Sequence, residues 1–272
     1  MKVRLTVAYD GTSFRGWAPN RNIDSVSDSL TRSISTVLRC PVHLVVAGRT
    51  DAGVHALGQV VSFVVPAEIA PLDAAGLARL ERSVNGMCAP AIAVSDVQIV
   101  DDSFDARRSA TRRRYRYVVL NTLAPDPFMA HRAWHVTTPL DLRHMQMACD
   151  PLIGEHDFAA FCRQAPPPHD STVRRVFEAR WTDEGAGRLH FEIEANAFCH
   201  QQVRATVGMM VVIGRGQLTA GDVMGLLHKA DRVRMPDLAP AHGLYLIHVG
   251  YEGERVHPKP AALAVGPSQA VT

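Results

Sequence analysis

The chain has 272 residues, a formal net charge of +2 and a 47% hydrophobic content, enough for one large or two ordinary folded domains and incompatible with disorder throughout. Cys40, Cys88, Cys149, Cys162 and Cys199 form no CxxC pair, so neither a zinc knuckle nor a disulfide framework is expected, and a reducing cytosol is the simplest home. No apolar run approaches the roughly 20 residues of a membrane span, and the alternating start MKVRLTVAYD is not a signal peptide, so the expectation is a cytoplasmic protein.

Val3, Leu5, Val7 and Tyr9 share one face of a first strand. Val26, Leu30, Ile34, Val37 and Leu38 then recur at helical spacing behind a capping box of Ser25 and Asp28. HLVVA from His43 reads as a strand, followed by a turn and a strand carrying Val61, Phe63 and Val65. Leu77, Leu80 and Val84 mark a second helix, and AIAVSDVQIV from Ala91 another strand. The order strand, helix, strand, strand, helix, strand is the split unit of ferredoxin-like folds. The second half repeats it: RYRYVVL from Arg114, a helix over PLDLRHMQMACDPLIG from Pro139, and two strands around the Gly185 to Gly187 turn. A helix from about Cys199 to Ile213, a short helix near Asp222 to Lys229 and a last strand, GLYLIHVGY from Gly243, complete it. The fold class expected is α+β, two ferredoxin-like βαββαβ halves around a central, mostly antiparallel sheet with a basic cleft. The halves are placed at residues 1–105 and 106–252. RQAPPPHDS from Arg163 is a loop, and residues 253–272, rich in Pro and Ala, are expected to be disordered.

Three segments carry chemistry. The turn RTDAGVH sets Arg49 and Asp51 two residues apart, where an extended backbone aims both the same way. A guanidinium beside a carboxylate favours the charged form, which suits a nucleophile or base better than an acid. Gly48 and Gly53 allow a tight bend and a close ligand approach. Alone, the turn reads more readily as ordinary turn formers with a surface ion pair. ARRSATRRRYRYVVLN from Ala106 holds six arginines, Arg107, Arg108, Arg112, Arg113, Arg114 and Arg116, before and within a strand with Tyr115 and Tyr117. Such a segment can pair with phosphates and stack on bases, or be a charged strand edge over a tyrosine core. Period two sets Tyr115, Tyr117 and Val119 on one face, and Arg114 and Arg116 on the other. In ANAFCHQQVRATVGMMVVIGRG, Val203, Val207, Met210 and Val211 make a buried stripe, with His200, Arg204 and Gly208 beside it. Arg204 there either reaches an acidic partner across a cleft or packs its stem on the surface. The thirteen histidines form no HExxH-type pair, so no metal site is expected.

In this order YDGTSFRGW, GRTDAGVHALGQVV, RRSATRRRYRYVVLN, ANAFCHQQVRATVG and APAHGLYLIHV resemble the tRNA pseudouridine synthases of the A type, across nearly the whole chain. The resemblance implies the pseudouridine synthase fold and a cofactor-free, metal-free isomerisation of uridines in the tRNA anticodon stem-loop by a cytoplasmic homodimer. It assigns Asp51 as the catalytic nucleophile, Arg49 to the space the flipped base vacates, and Tyr115 to packing against the uracil. Arg204 becomes the partner of the aspartate and Leu246 an apolar wall of the pocket, while the six arginines from Arg107 to Arg116 are assigned to the RNA backbone. The chain departs from the family's pattern at GWAPNRN, at the helix opening SVSDSL, and at VRA, where Ala205 stands for an amide.

Overall fold

The computed structural model describes residues 1–19, 25–66, 68–69, 72–163, 171–229 and 235–254. Most of the Pro-rich loop, Asn20 to Asn22 of GWAPNRN, and the tail from 255 onward lie outside the described residues. Of the tail expected to be disordered, Gly253 and Glu254 are described, and Glu254 pairs with Arg4.

Among the described residues ten strands form one sheet. They are β1 (Lys2–Tyr9), β2 (Val45–Val46), β3 (His55–Val64), β4 (Ile92–Val100), β5 (Ala110–Leu120), β6 (Trp134–His135), β7 (Gly154–Asp157), β8 (Val173–Asp183), β9 (Arg188–Ala195) and β10 (Leu244–Tyr251). The order across the sheet is β4-β1-β3-β10-β5-β9-β8-β7, with β2 beside β3 and β6 beside β5. Within β4-β1-β3-β2 and again within β10-β5-β9-β8, the fourth strand of a unit lies beside its first, and its third between first and second. That is the expected ferredoxin-like arrangement, twice. The two units meet where β10 runs parallel to β3, in a sheet otherwise antiparallel except at β5 and β6. Gly58 makes this junction possible, because a Cβ there would fall on the Ile247 carbonyl oxygen.

Helices α1 (Val26–Leu38), α2 (Ala74–Cys88), α3 (Leu142–Met147), α4 (Gln202–Gly214) and α5 (Ala220–Lys229) accompany the sheet. Ser25 caps α1 as expected: Asp28 N–H donates to Ser25 Oγ at 3.0 Å, and Ser25 Oγ–H donates to Asp28 Oδ2 at 2.7 Å. The main core combines Val3, Leu5 and Val7 of β1, Leu30 and Ile34 of α1, Leu80 and Val84 of α2, and Phe191, Ile193 and Val207 of the second unit. Each such side chain contributes about 1.5 to 3 kcal/mol on burial. A smaller cluster of Val118, Leu120, Tyr245 and Ile247 with Met129 and Ala133 forms separately.

Three features differ from the sequence reading. Helix α3 covers six residues rather than the whole of PLDLRHMQMACDPLIG, because Pro151 has no N–H to continue it. Eleven of the thirteen residues of α4 are buried, so it is a core helix rather than one with a single apolar stripe. Against the expectation of no disulfide, Cys162 and Cys199 are bonded. They lie 37 residues apart, a separation with no local signature; only the packing of two loops brings them together.

Candidate active site

The segment from Ala47 to Val54 links β2 to β3 and is fastened along its inner side. Ala47 N–H donates to the Val60 carbonyl at 2.9 Å and Val54 N–H to the Asp51 carbonyl at 3.2 Å. Gln59 Nε2 donates to the Gly48 carbonyl at 2.7 Å. Thr50 is buried, with Oγ1 2.7 Å from the hydroxyl of buried Tyr9, and its carbonyl accepts from Trp17 N–H at 3.1 Å. Gly16, at φ 93°, permits that contact: a Cβ would sit 2.8 Å from the Thr50 oxygen. With Thr50 held inward, its neighbours Arg49 and Asp51 face the cleft. Gly53 takes φ 78°, the left-handed turn this loop needs.

The cleft measures about 870 Å³, and Arg49, Arg107, Arg113, Arg174 and Arg204 all line it. At its wall, Asp51 Oδ2 accepts from Arg204 Nη1 at 3.0 Å. Asp51 Oδ1 lies 3.5 Å from His200 Nε2. Arg204 is itself fixed, because its Nε donates to the Ala239 carbonyl at 2.8 Å and its own carbonyl accepts from Ala239 N–H at 3.2 Å. One carboxylate oxygen is thus braced by a guanidinium and the other looks toward a half-exposed imidazole. Such a carboxylate can act as a nucleophile or a base. Among the described residues no group of three or more His, Cys, Asp or Glu could hold a metal ion.

Tyr115 lies against the cleft, 9% exposed, edge-on to Phe198 at 5.2 Å between ring centres. Burial pushes its phenol well above the usual range. Leu246 stands beside it across the β5–β10 ladder. Leu246, expected as an apolar wall of the pocket, is fully buried beside Tyr115, and Leu244 of the same strand lines the cleft. Residues 244 and 246 share a strand face, and only the strand's end reaches the opening.

The six arginines separate by strand face. Arg107 and Arg113 line the cleft, and Arg108 is exposed outside it. Arg113 donates to the carbonyls of Ala47, Arg107, Ala110 and Asn196, joining the Asp51 loop to the end of β9, and burial lowers its affinity for its proton. Arg112, Arg114 and Arg116 alternate onto the other face of β5. There Arg112 and Arg114 pair with Glu194 at 3.1 and 2.9 Å, Arg114 also with Glu178 at 3.1 Å, and Arg116 with Glu192 at 2.6 Å. The assignment of all six to the RNA backbone is therefore corrected for Arg116, which is buried in its ion pair. Arg112 and Arg114 likewise face away from the cleft.

His200, Arg174, Tyr9, Thr50 and Gln59 join the site without having been singled out for it. For His200 the signal was its place four residues before Arg204. Tyr9, Thr50 and Gln59 lie within the quoted motif stretches, but their contacts arise only when β1 and β3 pair.

A family model described as tRNA pseudouridine synthase matches residues 148–252. The chain is 36% identical over 249 residues to the tRNA pseudouridine synthase A of a Thermoanaerobacter species, covering 92% of this chain and 99% of that protein. It is 39% identical over 269 residues to that of Burkholderia multivorans, covering 99% and 94% of the two chains. With that of Shewanella denitrificans it shares 40% identity over 267 residues, 98% of each chain.

Proposed function

The chain belongs to the tRNA pseudouridine synthase A family, and from that premise we propose that it isomerises uridines of the tRNA anticodon stem-loop, with Asp51 as nucleophile. The observation that carries this reading is the Asp51 carboxylate at the wall of an arginine-lined cleft, paired with Arg204 at 3.0 Å. The enzyme class is isomerase, and tRNA uridine is its substrate.

The target uridine swings out of the RNA stack, at a cost of a few kcal/mol, and Arg49, exposed at the cleft mouth, takes the space it leaves. Tyr115 and Leu244 receive the base. An oxygen of Asp51 attacks C6 of the uracil or C1′ of the ribose, and the N1–C1′ bond breaks. The freed ring turns, C5 bonds to C1′, the C5 proton leaves to solvent while N1 takes one up, and the electron pair that bonded Asp51 returns to the carboxylate. Every atom of the nucleotide is retained apart from the exchanged proton, so the reaction needs no oxidant or external group. Arg204 stabilises the carboxylate as it leaves and returns.

Phosphates of the RNA backbone meet Arg107, Arg174 and the exposed Arg49 and Arg108. As in the resemblance above, the working unit is a cytoplasmic homodimer. Among the described residues no helix is long and apolar enough to cross a membrane.

Release of tritium from tRNA labelled at uracil C5 tests the reaction directly. Asp51→Asn should abolish release, by at least about a thousandfold as expected for loss of a nucleophile, while tRNA affinity stays within about threefold. A protein that binds tRNA but releases no tritium would be a binding protein on the same fold.

A further inference from the structure

We propose that Cys162 and Cys199 form a thiol–disulfide modification site that sets how firmly the catalytic wall around Asp51 is held. Its effect on turnover rests on the isomerase reading above, whereas the site itself does not. The bonded cysteines have Cα atoms 5.7 Å apart, within the separation a bridge spans without moving backbone. They belong to different segments: Cys162 caps the single turn Ala159–Phe161, and Cys199 lies just ahead of α4 and lines the cleft.

The link to Asp51 is short. Cys199 N–H donates to Gln202 Oε1 at 2.9 Å, and its carbonyl accepts from Gln202 N–H at 3.1 Å, which locks it into the start of the helix carrying Arg204. The next residue, His200, faces Asp51 Oδ1 at 3.5 Å. On the other side of the bridge, Arg163 N–H donates to the His200 carbonyl at 3.1 Å. Both side chains that touch the Asp51 carboxylate, His200 and Arg204, therefore come from the segment the bridge anchors. The reduced state has a place as well: the Phe158 carbonyl oxygen lies 3.2 Å from Cys162 Sγ and 3.9 Å from Cys199 Sγ, so a thiol there finds an acceptor. Cys40, Cys88 and Cys149 are free.

Access decides the order of events. Cys162 is 3% exposed, whereas Cys199 borders a cleft whose arginines draw in an anionic disulfide. The Cys199 thiolate attacks one sulfur of a small anionic disulfide such as oxidised glutathione, whose S–S bond breaks and releases one thiolate. Cys162 gives its proton to solvent and attacks Cys199 Sγ, expelling the second thiolate. Two protein thiols are oxidised to one disulfide, and the small disulfide is reduced to two thiols, which take up the protons. A bridged wall holds His200 and Arg204 in register with Asp51, so the oxidised protein is the better organised for attack.

The test poises the full chain in glutathione buffers from reducing to oxidising. Free thiols are trapped by alkylation, the Cys162–Cys199 peptide is quantified by mass spectrometry, and C5 tritium release and amide hydrogen exchange over residues 199–204 are followed in parallel. The bridge should titrate with the buffer. The reduced protein should turn over severalfold more slowly and exchange faster over that segment, both recovering on reoxidation. Cys162→Ser should form no bridge and instead hold glutathione on Cys199 in oxidising buffer, and the Cys162→Ser/Cys199→Ser double variant should respond to the buffer in neither readout. Absence of the bridge at every ratio, unchanged exchange, or equal or faster turnover of the reduced protein overturns the proposal. A bridge that titrates with the expected exchange change but no tritium release in either state supports the site and counts against the isomerase reading.

Discussion

Thr50 stands between the two side chains the chemistry uses, and its burial decides where they point. Its hydroxyl meets the Tyr9 phenol at 2.7 Å, which burial pushes up to about 12, so that it keeps its proton. Tyr9→Phe removes that partner and leaves Thr50 Oγ1 buried without it, at a cost of about 1 to 3 kcal/mol for an unmet polar group. The expected outcome is a loss of that size in chemical denaturation, together with a fall in kcat at nearly constant tRNA affinity, measured by single-turnover tritium release. A variant losing stability but keeping full kcat would show that the loop is aimed by its backbone contacts alone.

The elements show how much of the site can be read from the chain. Period two placed Arg114 and Arg116 opposite Tyr115, and the structure agrees. What sequence could not supply was their partners: Glu192 and Glu194 stand across the ladder from Arg116 and Arg114, on a strand about 80 residues further along. A run of arginines read in isolation thus resembles an RNA-binding stripe, whereas half of it is neutralised within the sheet. Asp51 and Arg204 were legible as a pair through the family's motifs, but the Tyr9–Thr50–Gln59 brace was not, since each residue is unremarkable until β1 pairs with β3.

The same ladder yields a stability prediction at this scale. Arg116 and Glu192 are both 7% exposed in their side chains, and Arg180 joins them. Burial opposes the charge on Glu192, but Arg116 and Arg180 outweigh it and hold the carboxyl below its usual range. Glu192→Leu leaves the Arg116 guanidinium buried without its partner, which costs about 3 to 5 kcal/mol. The double variant with Arg116→Met should recover much of that loss in a double-mutant cycle, and additive losses would show the pair to be uncoupled.

For the molecule as a whole, acid is the weak side. His55 is buried, accepts from Gly11 N–H at its Nδ1, and directs Nε2 at the carbonyls of His131 and His242. Burial lowers its affinity for a proton more than nearby Asp10 restores it, and burial likewise lowers His190 and His242. The unfolded chain takes up these protons near pH 6.5, before the folded one does, so their contribution is complete above about pH 6.5 and is lost as pH falls below it. Thermal unfolding should therefore shift to lower temperature between about pH 7 and about pH 5, and calorimetry across that interval checks it. A flat profile would mean that these rings are protonated in the fold. Reduction of the Cys162–Cys199 bridge should add a separate loss of about 3 to 5 kcal/mol, from the loop it closes.

The position of β10 carries a consequence for biosynthesis. It comes after every other described strand in the chain, yet it occupies the middle of the sheet, between the strand that begins after the Asp51 loop and the strand that holds Tyr115. While it is still inside the ribosome tunnel, a nascent chain has two separate half-sheets, each with a bare inner edge, and no cleft between them. Synthesis of β10 must precede assembly of the catalytic centre, and the newly made halves need protection from pairing with other chains until that strand emerges and joins them.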